Sequence, residues 1–470
     1  MNQYQTYYNY FTNGWLKQAL GQKWNSGTWS TVTEVDFNYD AAGNCTARNN
    51  GINGTADVQT AYTYNARSET MGISHGSLYD LTYLRDGAGN PTQIAYSGSQ
   101  FNQPYTGANA VQYSYDAASE LTNQNWGYWT GSNWTAAYST AWTYDWVGNR
   151  NPTSNTYNQV DELNAGNGYT YDSLGNVTAA PGSVGYTYTS DNLLWTCNQG
   201  ASLTWDADRQ RAELTSGSNT WDCLYDPTAD TPAVLLAVNT VNSATTYMFN
   251  MRQPSGELLA SFDASSGPNK YYYHFDDLGS TLLITNGGGS PSDSFTYDAW
   301  GSVLASTNSS KPYQYVGQLG YYTPGSSQGM GNILQLGVRF YDPSTGRFTQ
   351  RDPVTKPGSS KYAYGPDTPT DYVDPTGLMG NVPAPIHPHK ATKDEKFADC
   401  MIKALGRNLA IQLTGCAIGC GIASAVFAET TWVPCFAACS GFTLSWGLLG
   451  TAIGAIPTII DCRNEVYGCH

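Results

Sequence analysis

The chain has 470 residues, long enough for two or three domains with a sizeable core, and its 13% of charged residues argues against charge-driven disorder. Its net charge of -15 lies wholly within residues 1–378, because residues 379–470 hold six Lys/Arg against six Asp/Glu. An acidic body repels phosphate, so nucleic acid is excluded as a partner of that body, and the neutral tail lacks the basic patch a nuclease uses.

The 36 Tyr, 14 Trp and 49 Gly point to many short strands joined by tight turns. The first twenty residues have no charged stretch followed by an apolar run, so no Sec-type leader is expected. Cysteines are unevenly placed. Cys45, Cys197 and Cys223 are scattered through residues 1–378, whereas Cys400, Cys416, Cys420, Cys435, Cys439, Cys462 and Cys469 crowd the rest. That density fits disulfides formed outside a reducing cytosol, and hence a secreted or cell-surface protein exported by another route.

Four stretches share one pattern: FNYDAAGNCT (37–46), TYLRDGAGNPT (82–92), WTYDWVGNR (142–150) and YTYDSLGNVT (169–178). Weaker copies are YTYNARSE (62–69), YSYDAASEL (113–121), LTWDADRQ (203–210) and FTYDAWGS (295–302). Tyr169 and Tyr171 would share a strand face, Asp172 starts an Asx-type turn, and Gly175 with Asn176 reverses the chain. Each copy therefore reads as one β-hairpin. A lone hairpin is marginal in water, so the copies are expected to pair into a long sheet. The tyrosines read as sheet packing, with sugar binding through exposed aromatics as the alternative.

Residues 271–378 carry more specific and ordered motifs: YYYHFDDLGSTLLIT (271–285), YDAWGSV (297–303), RFYDPSTGRFTQRDP (339–353) and YAYGPDTPTDYVDPTGL (362–378). This set closely resembles the RHS/YD-repeat family with its repeat-associated core domain, the polymorphic toxin carriers related to teneurin-like YD shells. The resemblance covers residues 1–378. It implies a mainly β fold: a YD-repeat shell, whole or partial, over 1–265, closed by a core domain over 266–378. It further implies that Leu378 ends the shared carrier and that a variable effector follows, used in interbacterial competition.

In many family members the bond after that leucine is cut by the protein itself, in a reaction like that of aspartyl proteases. The matching positions are Asp352 and Asp374, with Arg351 beside the first to keep it ionised, and the Leu378–Met379 bond as the one cut. Two carboxylates sharing a proton can divide the base and acid roles. The sequence departs from the family where DPVTK (352–356) replaces Asp-Pro-x-Gly-Leu, and where the two aspartates stand further apart than is usual. The plainer reading is that Asp342, Asp352 and Asp374, each followed by Pro, start turns.

The tail opens with a Pro-rich linker, 379–391, whose His387 and His389 form too weak a pattern for a metal site. Neither a metal nor a cofactor is expected. Over 392–470 a small helical domain is expected. Thr392 and Glu395 fit a capping box, and Phe397, Met401 and Leu405 share an apolar face. Leu409–Ala428 and Pro434–Ile460 are apolar runs of membrane-spanning length, interrupted only by Glu429 and its neighbours. Cys416 and Cys420, and Cys435 and Cys439, each occupy one helix face. A helical hairpin would allow disulfides Cys416–Cys439 and Cys420–Cys435; free buried thiols or a four-cysteine zinc site are the alternatives.

The tail thus reads as membrane-active against a target-cell membrane, as a small soluble binding domain, or as an enzymatic toxin, with a cognate immunity protein as partner. The rival reading for the whole chain is a surface adhesion protein that binds cell-surface glycans.

Overall fold

The computed structural model describes residues 4–52, 55–150, 156–227, 229, 231–265, 267–308, 311–353, 360–378 and 382–383. The chain divides into two compact units, Met1–Asn9 with Lys17–Pro388, and Tyr10–Leu16 with His389–His470. Only Tyr10–Leu16 of the second unit is described, as the end of a strand and a tight turn closed by Phe11 N–H to the Trp15 carbonyl at 2.8 Å. The expected helices, cysteine pairs and apolar runs of the tail, with Met379 and the linker histidines, lie outside the described residues. Among the described residues no helix is long and apolar enough to cross a membrane.

The first unit is almost entirely antiparallel β. Eleven strands, from Tyr4–Tyr10 to Trp134–Ala141, form one sheet in strict chain order. Fourteen more, from Thr170–Tyr171 to Val303–Ser306, form a second in the same manner. Isolated bridges Tyr144–Arg150 and Tyr157–Leu163 mark two short hairpins between them. The second sheet runs through the expected 265/266 boundary, since Leu258–Asp263 pairs directly with Lys270–Phe275. A three-stranded sheet, Leu334–Leu336, Arg339–Asp342 and Arg347–Phe348, follows.

The sequence pattern is visible in every strong copy as the same turn. Asp172 Oδ1 accepts the N–H groups of Leu174 and Asn176, both at 2.9 Å, and its Oδ2 accepts Asn176 Nδ2 at 2.9 Å. Gly175 supplies the positive φ, 83°, that the reversal needs. Asp40 with Asn44, Asp86 with Asn90, and Asp145 with Asn149 repeat these bonds. Tyrosines that stand just before a turn link one hairpin to an earlier one. Tyr64, Tyr115, Tyr144 and Tyr188 donate their hydroxyls to the carbonyls of Cys45, Pro91, Leu121 and Val177, at 2.6–3.0 Å. Each acceptor stands just after the turn of a preceding hairpin, so the tyrosines couple neighbours along the ladder as in other repeat folds.

The two sheets meet around a core that includes Tyr79, Trp126, Tyr273, Phe295 and Trp300, all essentially buried. Side chains of the first sheet reach backbone of the second: Tyr79 Oη donates to the Phe295 carbonyl at 3.1 Å, and His75 Nε2 lies 3.1 Å from the Phe275 carbonyl. A second core, with Leu194, Leu203, Leu214 and Trp221, packs against Met330, Ile333 and Phe340. The post-repeat segment thus plugs both sheets, which fixes where the candidate site sits.

Candidate functional site

The site forms around one arginine at the start of a short strand. Leu334–Leu336 and Arg339–Asp342 are joined by a two-residue turn, Gly337–Val338, with Leu336 opposite Arg339. The segment 374–378 lies against that turn, with Val338 N–H bonded to the Thr376 carbonyl at 3.2 Å. Contact is tight enough to demand glycine on both sides. A Cβ on Gly337 would fall 2.2 Å from the Thr376 carbonyl oxygen, and one on Gly377 would fall 2.2 Å from that of Leu336.

Arg339 is 3% exposed, and its guanidinium lies 3.6 Å from the Phe348 ring centroid. Its Nη2 is 3.3 Å from Asp352 Oδ2 and 3.3 Å from Asp374 Oδ2. Its Nε donates to the Gly377 carbonyl, and its Nη1 is buried with no hydrogen-bond partner among the described residues. Burial pushes the Arg339 pKa down, while Asp352 and Asp374 push it back up. One guanidinium thus bridges two carboxylates.

Asp374, 1% exposed, is fixed by backbone as well as side chain. Its N–H donates to Tyr321 Oη at 2.6 Å, and Tyr321 Oη is 2.7 Å from Tyr364 Oη. Its Oδ1 accepts the Leu378 N–H at 3.1 Å. The Gly377–Leu378 peptide is thereby held at both ends, its oxygen by Arg339 and its N–H by Asp374, one peptide before the Leu378–Met379 bond. Asp352 is the more open partner, with 19% of its side chain exposed, and its N–H bonds to the Lys361 carbonyl at 2.8 Å.

Asp352, Asp374 and Leu378 are therefore brought together. Arg351 is not part of the group. Its Nη2 pairs with Glu162 Oε1 at 2.7 Å, and its Nε donates to Tyr362 Oη at 3.1 Å. It packs so close to the turn at Gly175 that a Cβ there would sit 2.2 Å from its Nε. The guanidinium beside Asp352 belongs to Arg339, which the sequence reading did not single out. Its signal was present in RFYDP, where an arginine opens a strand whose next two residues are aromatic. Tyr321 and Tyr364 carried no signal of their own, because the chain is full of tyrosine. Asp342 does start a turn, accepting Ser344 N–H at 2.9 Å and the Tyr169 hydroxyl at 3.0 Å.

Comparison with known proteins places this geometry in context. The Teneurin YD-shell family matches residues 99–361, more than half of the chain. The tRNA3(Ser)-specific nuclease WapA of Bacillus spizizenii is 29% identical over 268 residues, covering 50% of this chain and 11% of that protein. The double-stranded DNA deaminase toxin A of Burkholderia cenocepacia is 32% identical over 118 residues, 24% of this chain and 8% of that protein. Among solved structures, TcdB2-TccC3 matches with a TM-score of 0.62 and 18% identity, covering 80% of this chain and 21% of that one. A second structure of that complex is described as lacking its hypervariable C-terminal region. The chain thus spans about a tenth of the length of those two curated relatives, and about a fifth of that structural one.

Proposed function

The chain belongs to the teneurin YD-shell family, and from that premise we propose that it is a carrier for interbacterial competition. Its β ladder and plug hold or present residues 379–470 as a variable effector outside the cell. The relatives support this reading by their own names, which join similar repeat regions to a tRNA nuclease and to a DNA deaminase. A common carrier with exchangeable cargo accounts for that pairing.

The same reading assigns a single self-cleavage after Leu378. The observation that carries it is the pair Asp352 and Asp374 on one arginine, with Asp374 also holding the Leu378 N–H. This reading gives the acid role to Asp374, which already holds the Leu378 N–H beside the bond to be cut. Asp352, on the solvent side, is suited to take a proton from water. The oxygen of that water adds to the Leu378 carbonyl carbon, Asp374 gives its proton toward the departing Met379 nitrogen, and the C–N bond breaks to leave a carboxyl and an amine. Arg339 Nη1, a buried donor without a partner, is available to the developing oxyanion.

The test is the intact mass of the purified protein beside Asp352→Asn and Asp374→Asn. Two chains, one ending at Leu378 and one beginning at Met379, are expected from the parent, and a single chain from each variant. A parent that stays whole would remove the protease while leaving a fused carrier. The released tail is then tested for dye leakage from lipid vesicles, the expected outcome for a membrane-active effector. A second reading, surface adhesion, is favoured by Trp146, which stands 88% exposed at a turn tip.

A further inference from the structure

Away from the two aspartates lies a cavity of about 180 Å³ that the carrier reading does not use. One wall is a face of the second sheet, where Cys223 pairs with Ala237 and Ala237 with Met248. Alternation along the strand Asn219–Tyr225 puts Trp221 on the same face as Cys223. The opposite wall is built from Lys311–Tyr313 and Tyr322–Gln328, with Tyr271 at the side.

The charge in this cavity is unusual for so acidic a chain. Lys311 is half-buried, and its Nζ lies 3.7 Å from the Tyr271 ring centroid. Among the described residues no carboxylate is within ion-pair distance of it. Burial pushes its pKa down, and the more distant Asp293 and Asp263 push it back up. Asp263 is occupied by Ser265 and Asn269, and Asp293 accepts the Ser292 hydroxyl at 2.8 Å. Behind the wall the buried Arg211 guanidinium lies 4.4 Å from the Tyr322 ring centroid, with Nη2 3.5 Å from Cys223 Sγ. Thr323 Oγ1 is buried in the same lining with no hydrogen-bond partner.

We propose that this cavity binds a carboxylate-bearing sugar, a hexuronate unit of a glycan. Its volume is below the roughly 300–1,000 Å³ of drug-sized sites, which suits a ligand of about one sugar ring. One ammonium without a counter-ion calls for one negative charge, a carboxylate rather than a doubly charged phosphate. A neutral sugar would leave that ammonium unpaired, and an apolar ligand would strand the Thr323 hydroxyl as well. Trp221, Tyr271 and Tyr322 make much of the lining aromatic, the kind of surface on which the C–H side of a sugar ring packs.

The test titrates the full chain with D-glucuronate, D-glucose and acetate, followed by calorimetry and by saturation-transfer NMR. Glucuronate is expected to bind about tenfold or more tightly than glucose, the worth of one charge-assisted hydrogen bond. Acetate is expected to be weaker than glucuronate by a similar factor. Lys311→Gln should bring glucuronate down to the level of glucose. Equal affinity for glucose and glucuronate would overturn the proposal, as would acetate matching glucuronate or an unaffected Lys311→Gln. If that variant does not fold, the glucuronate-to-glucose ratio of the parent decides alone.

Discussion

The hairpin ladder and the group around Arg339 are stabilised in opposite ways. In the ladder each contact is short-range and repeated. An Asp closes its own turn, and a Tyr hydroxyl reaches the neighbouring hairpin, as at Asp172 and Tyr188. Around Arg339 each contact is singular and joins distant segments: Asp352, Asp374, Gly377 and, through Tyr321 and Tyr364, the plug. Damage to one copy of a repeated device is diluted by its neighbours. Damage to a singular one has no substitute.

The largest effect is therefore expected at Arg339. Arg339→Met keeps the stacking on Phe348 but leaves two carboxylates facing each other, one of them fully buried. Removing one partner of a buried ion pair costs about 3–5 kcal/mol. Urea unfolding should show a loss of that size, and the cut after Leu378 should vanish. Arg351→Met, which loses the half-exposed pair with Glu162 and the bond to the Tyr362 hydroxyl, should cost about 1 kcal/mol. Equal losses for the two variants would erase the contrast drawn here.

A device of intermediate kind joins the sheets. His75 and His274 are fully buried, with ring centroids 5.2 Å apart. His75 Nδ1 is 2.9 Å from Thr60 Oγ1, and His274 Nε2 is 2.9 Å from Thr285 Oγ1. The charged group beside them is the buried Arg48, which donates to the Tyr273 carbonyl. Burial, then Arg48, pushes His75 down to about 3; burial, then His75 and Arg48, pushes His274 down as well. The unfolded chain takes up these protons near pH 6.5, whereas the folded one does not. Their contribution is therefore whole above pH 6.5 and is lost as pH falls toward 3.

Each histidine accounts for roughly 1.4 kcal/mol per pH unit in that window. Burial pushes Glu120, Asp276 and Asp371 up to about 7, which tilts the curve the other way. The measurement is thus a difference: stability against pH for the parent and for His75→Gln. The variant's curve should be shallower by about 1.4 kcal/mol per unit between pH 6.5 and 4.5. Parallel curves would mean that His75 carries a proton in the folded state.

What the sequence made legible follows the same division. Local chemistry was readable: Asp, Gly and Asn at fixed offsets are each demanded by the turn they form, so a hairpin ladder could be anticipated from 169–178 and its kin, though as one long sheet rather than the two observed. The pairing of Asp352 with Asp374 was legible only through resemblance, because nothing local relates them. Arg351 was expected at Asp352 because it is adjacent in sequence. On an extended segment adjacent side chains point to opposite sides, and Arg351 accordingly turns to Glu162. Arg339 could be found only from the fold, since its partners lie 13 and 35 residues away.

The smallest effect tests the ladder's tolerance. The weak copy at 62–69 makes the same turn as the strong ones. Asn65 Oδ1 accepts Arg67 N–H at 2.9 Å and Glu69 N–H at 3.1 Å, and Asn65 Nδ2 bonds Glu69 Oε2 at 2.6 Å. What differs is Ser68, which holds φ 63° where strong copies have glycine. That conformation costs a residue with a Cβ about 1–2 kcal/mol. Ser68→Gly relieves it, while the freer unfolded glycine takes back about 0.4–1 kcal/mol. A net gain of up to about 1 kcal/mol is expected in the urea midpoint, and Gly43→Ser should lose about as much. A clear loss for Ser68→Gly would show that the serine side chain contributes to the turn, and that weak copies are built differently from strong ones. A gain would mean that the repeat tolerates wide sequence drift because its hydrogen bonds are supplied by the first and last residues of the turn, leaving only backbone strain to vary between copies.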